Sequence, residues 1–405
     1  MRVLMISKAL VVGAYQRKAE ELARLSGVSL IVAVPPYWRE GRHRLELERA
    51  YTAGYELVVL PMMLNGHYHV HFYRRLAALM DVVAPDVIHI DEEQYNVATF
   101  LALRAAVRRG IPALFFTWQN IVQRYPPPFS LLERYTFTHA AHAIAGNTAA
   151  ADIIRAKGYR GPLAVIPQFG VDPDLFAPAA TQLPAPPRGR SPRVAYGHEA
   201  VSQHGAASRS TTFVIGFVGR LLARKGLFVL LEALAGFDGA WELRVVGTGE
   251  DRAEAEALAE RLGIAQRVVF MGQQPSTAMP AIMRRFDVLV GPSLTTPRWK
   301  EQFGRMLVEA MACGVPVIGS TSGEIPDVIG DAGIVVPEGD SMALRTAIAG
   351  LRDQPMKRQD LAERGRARVL ALFTQQAVAR RTHAVYQEML AAYRARAVQP
   401  QVVTV

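Results

Sequence analysis

Two glutamates with seven residues between them, Glu301 and Glu309, frame the stretch in which carboxylates, glycines and apolar residues crowd closest: Glu301-Gln-Phe-Gly304-Arg-Met-Leu-Val-Glu309-Ala-Met-Ala-Cys-Gly314-Val-Pro316. Its local pattern is a glycine turn feeding a helix. Met306, Leu307, Ala310 and Met311 make a broad apolar face, and Gly314 followed by Pro316 is a stop signal. The helix is therefore expected to be largely buried, and a bare carboxylate at Glu309 costs several kcal/mol unless it finds donors. A ribose diol supplies two. Glu301 lies just before the helix, where unpaired N–H groups and the positive end of the dipole favour anions such as a sugar diphosphate.

A second set precedes it. Phe213-Val-Ile-Gly-Phe-Val-Gly219 is an apolar strand, Arg220 follows its end, and Lys225 stands five residues on. Two cations at a strand end suit a diphosphate, with Arg224 as an uncertain addition. Arg244-Val-Val-Gly247-Thr-Gly249-Glu250 is a strand, a glycine turn and an acidic helix start, and Val268-Val-Phe-Met-Gly272 ends at Gln273. A lone Gly-x-Gly is a weak phosphate signal; beside the other two sets, close backbone approach to a ligand is a reasonable expectation.

The first half offers weaker candidates. The loop from Leu10 through Gly13 and Tyr15 to Lys18 is either a phosphate or ligand contact or a plain strand-to-helix turn. His89-Ile-Asp91-Glu92-Glu93 at a strand end either binds hydroxyls and serves as base or is an acidic first helical turn. Phe116-Thr117-Trp118-Gln119-Asn120 ends the next strand. His67, His69 and His71 alternate as metal ligands on a strand would, but they run into a helical pattern and lack further ligands at suitable spacing, so a substrate-side loop is expected there. Asp172-x-Asp174 lies in a hinge-like context and is not read as a metal pair. No metal site is expected.

The run Glu-x-Phe-Gly-x4-Glu-Ala-Met-Ala-Cys-Gly-x-Pro-Val-Ile, together with Gly219-Arg220-Leu-x3-Lys225-Gly226, resembles the signature of the retaining, nucleotide-sugar-dependent glycosyltransferases of group 1, also called family 4. The resemblance covers most of the chain and is strongest from Val214 to Asp340. It implies a GT-B fold, with two Rossmann-like domains facing across a cleft, the first for the sugar acceptor and the second for the donor, a UDP- or GDP-sugar. It also implies roles by position. Glu301 contacts donor-sugar hydroxyls, and the backbone of Phe303, Gly304, Arg305, Met306 and Leu307 meets sugar and phosphate. Glu309 holds the ribose, Arg220 and Lys225 the diphosphate, Gly219, Gly247 and Gly249 line the donor, and Gln273 lies near the base. On the other side, Gly13, Tyr15, His89, Glu93 and Gln119 face the sugar acceptor. Relatives often have a glycine pair near Gly13 and a histidine where this chain has Gln119, so a hydrogen-bonding role survives at 119 and an imidazole role does not.

Strands alternate with helices in both halves, the doubly wound α/β pattern whose ligands lie at the carboxyl ends of strands. The expected domains are 1–176, a flexible Pro, Ala, Gly, Ser and Arg-rich insertion over 177–211, a second domain over 212–374, and a helix over 375–397 crossing back to the first. Within the first, a helix is expected near Phe72 to Val82. The single cysteine, Cys313, excludes an intrachain disulfide and fits a reducing compartment. No apolar run reaches membrane-spanning length, and Gly-x4-Gly-Lys-Ser/Thr is absent, which argues against a P-loop NTPase. The net charge of +10 favours polyanions without choosing among them. Nucleic acid is not expected as a partner. Tyr37-Trp38-Arg39 with Arg42 and Arg44 places aromatics beside cations, so a cytoplasmic enzyme touching the membrane face is expected. The function expected is transfer of a sugar to a glycan, lipid-linked or small-molecule acceptor. The rivals are a nucleotide-sugar epimerase on the same fold and a non-catalytic sugar-binding protein.

Overall fold

The computed structural model describes residues 1–41, 43–179 and 212–398, so Arg42 and the stretch 180–211 of the expected insertion lie outside the described residues. The chain divides into two compact units: Met1–Asp172 with Thr295–Phe303 and Val369–Val405, and Pro173–Leu294 with Gly304–Arg368.

The first unit is built on strands β1 (Arg2–Ile6), β2 (Ser29–Val34), β3 (Tyr37–Glu40), β4 (His43–Glu46), β5 (Glu56–Val59), β6 (Met62–Met63), β7 (Phe72–Tyr73), β8 (Val87–Ile90), β9 (Ala113–Thr117), β10 (His142–Ala145) and β11 (Leu163–Val165). Its helices are α1 (Arg17–Ala23), α2 (Leu76–Val83), α3 (Val97–Val107), α4 (Phe129–His139) and α5 (Thr148–Ala156). Seven strands form one sheet in the order β11-β10-β9-β8-β1-β2-β5, parallel throughout. Such a sheet is covered on both faces, which is why its strands read as continuous apolar runs. Alternate residues of β1 serve the two faces: Val3 and Met5 enter one core cluster, Leu4 and Ile6 the other.

One local expectation is corrected here. Phe72 and Tyr73 do not begin a helix; they pair antiparallel with Met63 and Met62, and α2 starts at Leu76 after Arg75 turns the chain at φ 59°. A buried Tyr73 and the left-handed Arg75 together override the helical pattern. Strands β3 and β4 pair antiparallel, with Trp38 opposite Leu45.

The second unit carries β12 (Phe213–Val218), β13 (Trp241–Val246), β14 (Val268–Gly272), β15 (Val288–Gly291), β16 (Val317–Ser320) and β17 (Ile334–Val336). They are ordered β14-β13-β12-β15-β16-β17 and again parallel. Helices α6 (Leu227–Ala235), α7 (Arg252–Arg261), α8 (Met279–Met283), α9 (Arg305–Ala312), α10 (Ile325–Ile329), α11 (Ser341–Asp353) and α12 (Pro355–Leu372) accompany them. Helix α9 is the one framed by the two glutamates. Leu307, Val308, Ala310, Met311 and Ala312 are buried as its pattern demands, and Gly314 at φ 71° ends it. The last helix, α13 (Gln375–Val398), belongs to the first unit.

Candidate active site

In the second unit the candidate donor residues gather at the carboxyl edge of the sheet. Arg220 follows β12 and is exposed. Lys225 closes the short turn Ala223–Lys225, and Gly226 at φ 77° starts α6. Gly247, at φ 135°, leaves no room for a side chain, since a Cβ there would lie 1.9 Å from the Gly219 carbonyl oxygen; at Gly249 it would lie 2.0 Å from that of Leu221. Gly219 N–H donates to Val246 O at 3.0 Å and Leu221 N–H to Thr248 O at 2.9 Å. The two loops are thus strapped backbone to backbone, so the protein's own main chain already explains these glycines. Gln273 is exposed one residue beyond β14.

Gly304, at φ 72°, is the residue before α9. Met306 and Leu307 pack over Gly291 of β15, where a Cβ would meet Met306 Cε at 2.8 Å and Leu307 Cδ2 at 3.1 Å. Both side chains therefore work in packing, leaving only their backbone for a ligand. Glu309 is buried, and Arg305 one turn earlier donates Nε–H to its Oε1 at 2.7 Å. Burial pushes the Glu309 carboxyl up, against the pull of Arg305. Part of the donor demand that the sequence assigned to a ribose diol is thus met inside the helix.

Glu301 belongs to the first unit, with its segment 295–303. Asn120 Nδ2 donates to the carbonyl oxygens of Lys300 and Glu301 at 3.3 Å each, and Asn147 Nδ2 to that of Gln302 at 2.8 Å. Gln302 Nε2 returns a bond to Trp118 O at 3.2 Å, and Phe303 packs near the Trp118 ring. The segment is held by residues just past β9 and β10, the place where a parallel sheet puts its ligand loops. Glu301 itself is 7% exposed.

The same strand ends surround a cavity of about 540 Å³ whose lining includes Glu93, Tyr95, Trp118, Gln119, Tyr125 and Arg298. Glu93 accepts from Thr117 Oγ1 at 2.6 Å and from Trp118 N–H at 2.8 Å; burial pushes its carboxyl up, and these two donors oppose the shift. Gln119 is nearly buried, and its Oε1 accepts from Gln94 Nε2 at 2.6 Å and from Lys157 Nζ at 3.2 Å. Lys157 also pairs with Glu133. Tyr95 and Tyr125 face each other at 4.2 Å, with His69 against both.

Two of the three upstream candidates, Gly13 and His89, turn out otherwise. The Gly13 N–H donates to Glu48 Oε2 at 2.6 Å, so the protein's own carboxylate occupies the proposed phosphate cradle. Tyr15 stacks on Phe169 at 4.1 Å. His89 is fully buried mid-strand, its Nδ1 2.6 Å from the Tyr386 hydroxyl of α13, and so is a core residue shielded from ligand. Of the acidic cluster, Asp91 accepts from Ser7 Oγ at 2.6 Å, and Glu92 pairs with Lys8 and lies 3.4 Å from His71 Nε2. These acids are structural, leaving Glu93 at the cavity. Gln94, Glu133 and Lys157 went unsignalled, because they sit on separate elements with nothing local to link them. Trp38 is also buried, 5% exposed against Lys8 and His71, so it makes no membrane anchor.

Two family models match in chain order: a glycosyl transferase 4-like domain over residues 12–168 and glycosyl transferases group 1 over residues 202–368. Among curated relatives, the 2-deoxystreptamine N-acetyl-D-glucosaminyltransferase of Streptomyces fradiae is 39% identical over 142 residues, 33% of this chain and 32% of its own. The D-inositol 3-phosphate glycosyltransferase of Corynebacterium jeikeium is 33% identical over 190 residues, 44% of each chain. The chain thus spans between a third and a half of the length of such relatives. Among solved structures, Anabaena HepE in complex with UDP superposes with a TM-score of 0.68 at 18% identity, over 96% of this chain and 100% of that one. Sucrose-phosphate synthase of Thermosynechococcus elongatus gives 0.64 at 20%, over 97% and 100%. Likeness at that identity establishes the fold, which is GT-B.

Proposed function

Because this chain belongs to the group 1 glycosyl transferases, we propose that it moves a sugar from a UDP- or GDP-sugar to a hydroxyl of a carbohydrate or lipid-linked acceptor, with retention at the anomeric carbon. In this reading residues 1–176 take the acceptor and 212–374 the donor. The observation that carries it is the edge of the second sheet: Arg220 past β12, Lys225 before α6, and the start of α9 with Glu309 one turn in. As the anomeric carbon–oxygen bond to the diphosphate breaks, negative charge grows on the departing oxygen. Fixed cations and amide N–H groups aimed at that charge lower the barrier, each such donor contributing roughly 3 kcal/mol. Glu301 takes sugar hydroxyls and Glu309 the ribose. HepE was solved with UDP and with UDP-glucose, which supports a nucleotide-sugar donor here.

The single cysteine suits work in a reducing cytoplasm. No helix among the described residues is long and apolar enough to cross a membrane, and peripheral contact, if made through the β3–β4 hairpin, rests on Arg39 and Arg44 without Trp38.

Thermal-shift profiling against UDP- and GDP-sugars comes first, since a ligand at 100 times its Kd stabilises by about 2.7 kcal/mol. Turnover with the donor so identified then separates the roles. Glu301→Ala is expected to cut turnover heavily while Glu309→Ala mainly weakens nucleotide binding, and activity is expected to persist in chelator. Equal small effects from both substitutions, manganese-restored activity after chelation, or an inverted anomer in the first-formed product by NMR would each defeat the reading.

A further inference from the structure

Asn147, the residue before α5, has two partners of opposite kind. The Ala150 N–H only donates, so the amide atom 2.7 Å from it is Oδ1. The Gln302 carbonyl only accepts, so the atom 2.8 Å from it is Nδ2. The two assignments agree, and the side chain is fully buried, so the amide has one orientation. One end of Asn147 caps α5, and the other holds the segment 295–303.

Capping alone does not require asparagine, since aspartate and serine cap about as well. What asparagine adds is a donor, and here it goes to the residue after Glu301. Asn120, also buried, does the same just upstream, where its Nδ2 donates to the carbonyl oxygens of Lys300 and Glu301 at 3.3 Å each. Two side-chain amides thus hold three consecutive carbonyls, and Gln302 Nε2 adds its own bond to Trp118 O at 3.2 Å. The seat beneath them is rigid. Gly146 N–H donates to Thr117 O at 2.8 Å, and a Cβ at Gly146 would lie 2.2 Å from Trp118 Cε3, so ring and backbone are in direct contact. Ala150, Ala151, Ile153 and Ile154 anchor α5 in the core. Glu301 is the one carboxylate of the segment held in this way.

We infer that Asn147 is a positioning residue for sugar transfer: by fixing the Gln302 carbonyl it sets where the Glu301 carboxylate stands, with Asn120 completing the clamp. The inference rests on the transferase reading, in which Glu301 takes the donor-sugar hydroxyls. Misplacing such a group by about 1 Å lowers the rate by up to roughly 100-fold. In the same reading the nucleotide is held by Arg220, Lys225 and Glu309, all of the second unit, so its affinity is independent of Asn147.

Asn147→Asp and Asn147→Ser test this in the full-length protein. Both keep an oxygen for the Ala150 N–H, and neither gives Gln302 O a hydrogen: aspartate has none, and the serine hydroxyl is too short to reach. Serine also brings no buried charge, so it isolates loss of the donor. Turnover with the donor found by thermal shift is expected to fall about 10- to 100-fold in both variants, with UDP binding unchanged. Hydrogen exchange is expected to quicken in the amides of 295–303 and to stay slow in those of α5. In a Glu301→Ala background the same substitutions are expected to lower the residual turnover no further, because the group they displace is gone; a merely structural asparagine would lower it by the same factor in both backgrounds. Parent-like turnover in Asn147→Ser, a loss that multiplies with that of Glu301→Ala, UDP binding that weakens in step with turnover, or loss of folding in both variants overturns the inference. A parent protein that transfers sugar from no UDP- or GDP-sugar defeats the transferase reading, and this role with it, whereas transfer by the parent with any of the outcomes just named defeats the positioning role alone.

Discussion

Glu92 shows burial and pairing pulling against each other in a single side chain. Burial alone raises its carboxyl pKa; the charges and hydrogen bonds of Lys8 and His71 outweigh that and bring it down to about 2. A carboxylate depressed in the folded state stabilises the protein above its unfolded pKa, and that contribution is lost as pH falls through the folded value. The window here runs from about 4.5 down to about 2. The expected outcome is an acid-unfolding transition in which Glu92→Gln is less stable than the parent at pH 6 by up to roughly 3 kcal/mol, the difference closing toward pH 2; urea midpoints across that range measure it. A difference that stays constant with pH would mean that Glu92 acts through packing alone. Glu309 has the opposite balance, with burial ahead of Arg305, which suits a carboxylate still able to gain from further donors such as a ribose.

Among elements, helix α6 shows how the loop that carries Lys225 is fixed by packing. Gly226, its first flanking residue, adopts φ 77°, and a Cβ there would sit 1.8 Å from the Pro292 carbonyl oxygen. Gly226→Ala is expected to cost about 3 kcal/mol or more, from the left-handed backbone and the backbone clash together, and to displace Lys225 beside it. Gly350 makes the contrast, standing inside α11 with nothing within 4 Å of a Cβ. Gly350→Ala is expected to stabilise by up to about 1 kcal/mol through helix propensity alone. Thermal denaturation of the two variants checks both signs, and a Gly226→Ala protein melting with the parent would discount the clash.

For the molecule as a whole, the chain's two ends fold together. Val378, Ala379, Val385, Tyr386 and Met389 of α13 share a core with Val3, Met5 and Val32 of the first unit. Tyr386 reaches His89 at 2.6 Å, and Tyr393 Oη donates to Gly110 O at 2.7 Å. Burying such side chains stabilises by on the order of 10 kcal/mol, as much as a domain's whole net stability. Removing residues 375–405 is therefore expected to abolish the cooperative unfolding of the first unit, leaving insoluble chain or a protein lacking that transition by circular dichroism. A truncated chain that melts with two normal transitions would refute this.

What the sequence determined by itself is what depends on near neighbours. The alternation of apolar strands and helices, the α9 pattern with Glu309 buried inside it and the stop at Gly314 were all legible, because period and turn chemistry are properties of short stretches. What only the tertiary structure decided is which polar groups satisfy one another. His89 looked like a site residue until Tyr386, 297 positions away, was seen against it. The Gly13 amide looked open until Glu48 took it. Lys157, Glu133, Gln94 and Gln119 come from separate elements, and no spacing foretells that they form one network. A buried polar group must find a partner, but the chain can supply that partner from anywhere, and only the packed fold makes the choice.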